Sequence, residues 1–228
     1  MKFGITKRAL TIFGASMAAI SLLSLSACNG DKGGSATKAG ATPYELASDL
    51  PEGSKDAKVV MVEYASVMCP HCADFQKDII PQIMENYVKT GKVRYVFREF
   101  PTQPVELATA GHLIARCVAK DKREAVIGAL MSNQKDIFVQ AQAGAGVKSL
   151  MTVAASAGMS EADFEKCLSD KEKLKTLEEI TQYGSDHDKV TGTPTILING
   201  ATYTPPEGKG YEYAEMAKAL DAAIAKAK

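Results

Sequence analysis

The sequence predicts an α/β fold: a central mixed sheet flanked by helices and interrupted by an all-helical insertion. Three observations predict it. Val59–Ala65 is a β-rich, nearly unbroken apolar run of the kind found in strands covered on both faces, and Val93–Phe100 returns as a strand. From about Pro104 to Lys189 the apolar period is helical instead. Strand character reappears at Thr195–Ile198, so two halves of one sheet lie on either side of a helical block.

Each element follows from local chemistry. Ala73–Val88 carries Phe75, Ile79, Ile83 and Tyr87 at i+4 spacing, a helix with a kink expected at Pro81. The helical block breaks near Lys120-Asp121, Gly144-Ala145-Gly146, Gly158 and Asp170, and Ser160-Glu161-Ala162-Asp163 reads as a helix start. Asn199-Gly200 is a hairpin signal that joins Thr195–Ile198 to Ala201–Thr204. Tyr211–Ala225 closes the chain as a helix with Met216, Leu220 and Ile224 facing inward. The expected division is a sheet-bearing domain of 43–103 and 190–228 with a helical insertion of 104–189.

The N-terminus reads as an export address. Lys2, Lys7 and Arg8 precede the apolar stretch Ala9–Leu25, which Gly14, Ser16, Ser21 and Ser24 dilute below what a spanning helix needs. Residues 1–27 are therefore expected to be a signal peptide. Leu25-Ser26-Ala27-Cys28 matches the lipoprotein box, which makes Cys28 the acylated new N-terminus; ordinary cleavage after Ala27 is the alternative. Residues 28–42, rich in Gly, Ser, Ala and Lys, are a flexible tether with a reach of about 20 Å, so the folded part is leashed to a membrane, inner or outer, through lipid alone. Residues 1–27 hold three cations and no acid, which leaves 24 Lys and Arg against 27 Asp and Glu, a net charge of −3. That balance argues against nucleic acid, which requires a basic surface.

With Cys28 lipidated, four cysteines remain, and an even number in an exported chain favours disulfides. Leu107, Ala110, Ile114 and Cys117 share one helix face, and Phe164, Cys167 and Leu168 mark the apolar face of another. Both thiols point inward, where they could meet; a bond closing a loop of about 50 residues is worth ~4 kcal/mol in the chain-entropy treatment. Two buried free cysteines, acting as small hydrophobes, are the alternative.

Cys69-Pro70-His71-Cys72 carries the chemistry. Two cysteines at i and i+3 share one face of a helix, close enough to form an easily reduced disulfide. At a helix start, unpaired N–H groups and the positive end of the dipole stabilise the Cys69 thiolate. Pro70 suits the first helical position, and His71, charged or as a neutral donor, favours the anion further. A pKa about 3 units below 7 corresponds to ~4 kcal/mol, or ~90 mV in a two-electron couple, and turns the pair toward oxidising its clients.

The order β-α-β, helical block, β-β-α resembles the thioredoxin superfamily and, within it, the bacterial periplasmic disulfide oxidoreductases of the DsbA type. The resembling residues are Val62-Glu63-Tyr64-Ala65-Ser66, Met68-Cys69-Pro70-His71-Cys72-Ala73-Asp74-Phe75, Gly91-Lys92-Val93, Phe97-Arg98-Glu99-Phe100-Pro101 and Gly192-Thr193-Pro194-Thr195. They span most of the chain after the tether. The resemblance implies a thioredoxin fold with a helical insertion, no cofactor, and a Cys69-Cys72 disulfide donated to unfolded or reduced exported proteins through a mixed disulfide on Cys69. It also implies a recycling partner of the DsbB type, a quinone-linked membrane oxidase. The Cys117/Cys167 pair resembles a subset of the family with a second disulfide. Glu63, on a doubly covered strand, would be buried with a raised pKa and could take or return the proton of Cys72. A cis Thr193-Pro194 bond would turn the Thr193 backbone toward an extended substrate.

Other classes fit less well. A soft-metal carrier using Cys69, Cys72 and a histidine lacks the further ligands zinc normally needs, so no metal site is expected. A purely structural lipoprotein has no use for Thr193-Pro194 opposite a dithiol. A reductase or isomerase with the same site is the nearer rival, because Thr193 stands where the best-known family members have valine. Asn29–Ala57 is too short and polar for an isomerase's dimerisation segment, which predicts a monomer. His112 and His187 read as packed or surface histidines, and Arg98-Glu99 receives no catalytic role.

Overall fold

A computed structural model describes residues 42–227. The expected signal peptide, Cys28 and the expected tether apart from Thr42 lie outside the described residues. No helix among the described residues is long and apolar enough to cross a membrane.

The centre of the fold is β1 (Val59–Ala65), with every residue buried. It pairs in parallel with β2 (Val93–Glu99) and antiparallel with β3 (Thr195–Ile198), which pairs antiparallel with β4 (Ala201–Tyr203), in the order β2-β1-β3-β4. Side-chain alternation divides β1 between two cores. Val60, Val62 and Tyr64 pack with Val96, Val190 and Leu197 on one face. Val59, Met61 and Ala65 join the larger core on the other, which also holds Cys69, Cys72 and Phe75, and the parity of Glu63 puts it there too. The outer edge of β2 is closed by Glu52, whose N–H and C=O pair with Tyr95 at 2.8 and 3.0 Å, which blunts an edge otherwise open to other chains. Asn199 and Gly200, at φ of 49° and 77°, make the tight hairpin between β3 and β4.

The helix expected over Ala73–Val88 starts earlier and is broken into pieces: α1 (Pro70–Asp78), α2 (Ile80–Ile83) and a π-helical turn, Met84–Val88. Pro81 has no N–H for the Lys77 carbonyl and its ring clashes with that group. The ladder therefore restarts after Ile79 instead of merely bending.

Six helices follow: α3 (Val105–Cys117), α4 (Lys120–Ser132), α5 (Gln134–Gln142), α6 (Gly146–Ser156), α7 (Glu161–Leu168) and α8 (Lys171–Asp186). The α4/α5 break at Asn133 was not expected, because no glycine or proline marks it. Ser160 caps α7, its Oγ accepting the Asp163 N–H at 3.1 Å. At Gly111 a Cβ would lie 2.7 Å from Val67 Cγ2, so only glycine lets α3 approach the loop after β1 this closely. The last helix, α9 (Tyr213–Lys226), buries Met216 and Leu220.

Cys117, the last residue of α3, is bonded to Cys167 of α7, with their Cα atoms 6.1 Å apart. Replacing both by alanine should lower the free energy of unfolding by roughly 2–4 kcal/mol. Urea denaturation under non-reducing conditions reads this directly, and an unchanged midpoint would contradict it.

Candidate active site

The loop after β1 delivers Cys69 to the N-cap of α1. Its N–H donates to the Ser66 carbonyl at 3.0 Å, and Pro70 occupies the first turn, where its missing N–H has no partner to lose. Cys69 and Cys72 are thiols in this structure, and both are buried. Cys69 Sγ lies 3.4 Å from the Thr193 carbonyl, to which it donates as a thiol.

The two sulfurs are oppositely poised. The Cys69 thiol is held down to about 5, chiefly because the Cys72 thiol donates to its thiolate; burial opposes this, and the Thr193 side chain and the Cys72 and His71 backbone N–H groups add to it. The Cys72 thiol is pushed far up by burial, by its donation to Cys69 and by the negative charges of Glu63 and Cys69. One thiolate is available near neutral pH and the other is withheld. The backbone N–H of His71 is among the donors to the anion, and its side chain is exposed and lines a cleft of about 360 Å³ with Asp74, Phe75, Thr193, Pro194 and Tyr211.

Glu63 sits beneath this pair with no solvent exposure. Its Oε2 accepts the Tyr95 hydroxyl at 2.6 Å and its Oε1 has no protein partner. Burial pushes its carboxyl up to about 8, against the Tyr95 hydrogen bond and with help from the charges of Glu124 and Cys69. The carboxyl can therefore hold or release a proton close to neutral pH.

On the opposite wall, Thr193-Pro194 is a cis peptide, and so is Gln103-Pro104, which no feature of the sequence marks. The Tyr211 hydroxyl donates to the Pro194 carbonyl at 3.1 Å and fixes the segment against the last helix.

Several contacts around the site escaped sequence reasoning, while His112 and His187 are the packed and surface histidines expected. Gln134, at the unexpected α4/α5 break, donates to the Cys69 carbonyl at 3.0 Å. Glu99 is fully buried between Arg116 at 2.8 Å and Arg123 at 2.9 Å, which seats α3 and α4 on the end of β2. Arg98 is also buried, bridging Asp49 at 2.8 Å and Asp188 at 3.1 Å. His112 is fully buried beside Phe97, with both ring nitrogens lacking protein partners, and burial lowers its pKa to about 4. His187 is exposed and stacks on Tyr183. Among the described residues no cluster of three or more His, Cys, Asp or Glu side chains is arranged to hold a metal.

Comparison with known proteins agrees with this architecture. A thioredoxin family profile matches residues 47–222. A Rickettsia bellii protein that carries the name protein-disulfide oxidoreductase is 30% identical over 182 residues, 79% of this chain and 66% of its own length. A Rickettsia typhi protein of the same name is 28% identical over 178 residues, 78% of this chain and 62% of its own. The chain thus spans just under two thirds of these curated relatives. The crystal structure of Wolbachia pipientis α-DsbA1 superposes with a TM-score of 0.69 at 23% identity, covering 78% of this chain and 92% of that one. The chain belongs to the thioredoxin family and has the fold of its DsbA-type members.

Proposed function

We propose that this chain is a thiol–disulfide oxidoreductase that donates a Cys69–Cys72 disulfide to reduced, exported client proteins. The observation that carries the reading is Cys69 at the N-cap of α1, its sulfur 3.4 Å from the carbonyl of the cis Thr193-Pro194 segment, with Cys72 fully buried one turn further in. A client thiolate attacks Cys69 Sγ, and the Cys69–Cys72 bond breaks. Cys72 leaves with the electron pair and takes the proton of Glu63. A second client thiolate then attacks the client sulfur of the mixed disulfide and expels Cys69 as a stable thiolate, so the client is oxidised and the enzyme reduced by two electrons. The exposed cleft beside Thr193 and Pro194 suits an extended chain held mainly through its backbone.

Reoxidation calls for an electron acceptor of the DsbB type. In this reading Cys28 carries the lipid that tethers a monomer on the outer side of a bacterial inner membrane or the inner side of an outer one. A Cys69 pKa about two units below 7 corresponds to ~2.7 kcal/mol, or ~60 mV. That is the same order as the ~90 mV expected from the sequence; the reductase or isomerase with the same site is the second reading.

Ultraviolet titration of the reduced protein tests the poise: the thiolate of Cys69 should form with a midpoint near pH 5. Equilibration with a glutathione buffer then gives the direction of exchange. A midpoint in the ordinary cysteine range near 8.5 would remove the basis for disulfide donation.

A further inference from the structure

The Thr193-Pro194 segment is pinned at two neighbouring carbonyls. The Thr193 carbonyl accepts the Cys69 thiol at 3.4 Å, and the Pro194 carbonyl accepts the Tyr211 hydroxyl at 3.1 Å. A third bond, from Thr195 Oγ1 to the Gly192 carbonyl at 2.7 Å, closes the segment only on itself. The sheet takes up the chain at Thr195, which is paired with Tyr64. The Pro194 carbonyl belongs to the peptide that joins the exposed turn to β3, so the plane of that peptide sets the direction in which Thr193 leaves the sheet. The two pins do not last equally. A thiol donates only while it carries its hydrogen, and a disulfide sulfur carries none. In the Cys69–Cys72 disulfide the first pin is gone, whereas the phenol of Tyr211 keeps its hydrogen in both redox states.

We propose that Tyr211 is a positioning residue that holds the Thr193 backbone in place for an extended client while Cys69 and Cys72 are joined. This rests on the exchange chemistry and the client cleft proposed above. Tyr211 acts through the Pro194 carbonyl, to which its hydroxyl is bonded. Its ring is set from two sides: it meets Phe75 of α1 edge-on, with centroids 5.3 Å apart at 80°, and lies tilted against Tyr203 of β4, 6.2 Å away. Phe75 follows Cys72 by three residues on the same helix, so the redox helix itself aims the hydroxyl. Phe75 and Tyr211 line the cleft together with Thr193 and Pro194, and their contact keeps its two walls at a fixed spacing. Loss of the Cys69 pin has a second effect. It leaves the Thr193 carbonyl open to a client N–H in the one redox state that can oxidise a client. An extended chain needs that carbonyl at a fixed place, and the phenol supplies the fixed point.

The test is Tyr211→Phe in the full chain, which keeps the ring and removes only the donor. The disulfide form is mixed with a reduced peptide at rising concentration and, separately, with 2-mercaptoethanol, a thiol that has no peptide backbone to lay along the cleft. In Y211F the half-saturating peptide concentration should rise about fivefold, the worth of one ordinary hydrogen bond. The limiting rate and the rate with 2-mercaptoethanol should match the parent, and the Cys69 thiolate should still titrate near 5. Tyr211→Leu, which also gives up the ring contact with Phe75, should raise the half-saturating concentration at least as far. An equal loss with peptide and 2-mercaptoethanol would place the effect on the sulfurs and overturn the role given to Tyr211, as would a competent parent on which Y211F superimposes. A parent that oxidises neither thiol would sink the oxidoreductase reading itself.

Discussion

Replacing Cys69 with serine is expected to abolish disulfide transfer to a reduced peptide, a loss on the order of 10³-fold or more. The hydroxyl cannot form the mixed disulfide, and nothing else near the helix start can substitute for it, since Cys72 is fully buried and its thiol is pushed far up. Cys72→Ser has a different expected result. Cys69 then keeps its backbone donors, His71 and residue 72, and the Thr193 side chain, so it remains a good nucleophile. Offered glutathione disulfide, it should release one glutathione and accumulate the other on Cys69, because no neighbouring sulfur remains to resolve the adduct. Intact-mass measurement distinguishes the variants: one adduct for C72S and none for C69S. The serine hydroxyl can donate to the thiolate in place of the Cys72 thiol, so the titration midpoint of Cys69 in C72S should stay near 5. Exchange that survives in C69S would mean the reacting sulfur has been misassigned.

The parts of the site legible in the sequence are those written in short spans. Cys69, Pro70 and Cys72 mark a helix start by their own chemistry, and Asn199-Gly200 marks a turn because both residues tolerate positive φ. Glu63 stood out as one acid in an apolar strand, and its burial follows from β1 lying between β2 and β3. The parts that escaped depend on chain segments meeting in three dimensions. Gln134 contacts Cys69 across 65 residues, and nothing in Asn133-Gln134 signals a loop that reaches the active site. Glu99 lies 17 residues from Arg116 and 24 from Arg123, too far for any helix or strand period to relate them. Pro81 was legible as a disturbance but not in degree, because a kink and a break differ only in whether tertiary packing re-forms the ladder. Strand parity and helix faces are local properties; charge pairing inside a core is not.

That distant pairing leads to the second large effect. Glu99→Ala should destabilise the protein by roughly 3–5 kcal/mol, the range for breaking a buried ion pair by removing one partner. The Arg116 and Arg123 side chains are 7% and 3% exposed, so neither can swing into water to recover its hydration. Arg116 would retain the Ser48 carbonyl and Arg123 the Leu50 and Phe97 carbonyls, at 3.2 to 3.4 Å, which soften the loss without neutralising the charges. The parent carries the same interaction in its acid response. Burial alone would raise the Glu99 carboxyl, but the charges of both arginines and the Arg116 hydrogen bond bring it down to about 2 from the usual 4.5. A depressed carboxyl contributes stability that is fully present above its unfolded pKa and is lost as pH falls from about 4.5 to about 2, a loss of about 3 kcal/mol. Glu99→Gln keeps the shape but not the charge, so it should be less stable than the parent at neutral pH and should converge on it near pH 2. Urea unfolding of the three proteins at pH 7 and pH 2.5 measures both claims. If E99A unfolds within 1 kcal/mol of the parent at pH 7, Glu99 is not what seats α3 and α4 on β2, and the support that those helices give to the Cys69 site must come from their apolar faces instead.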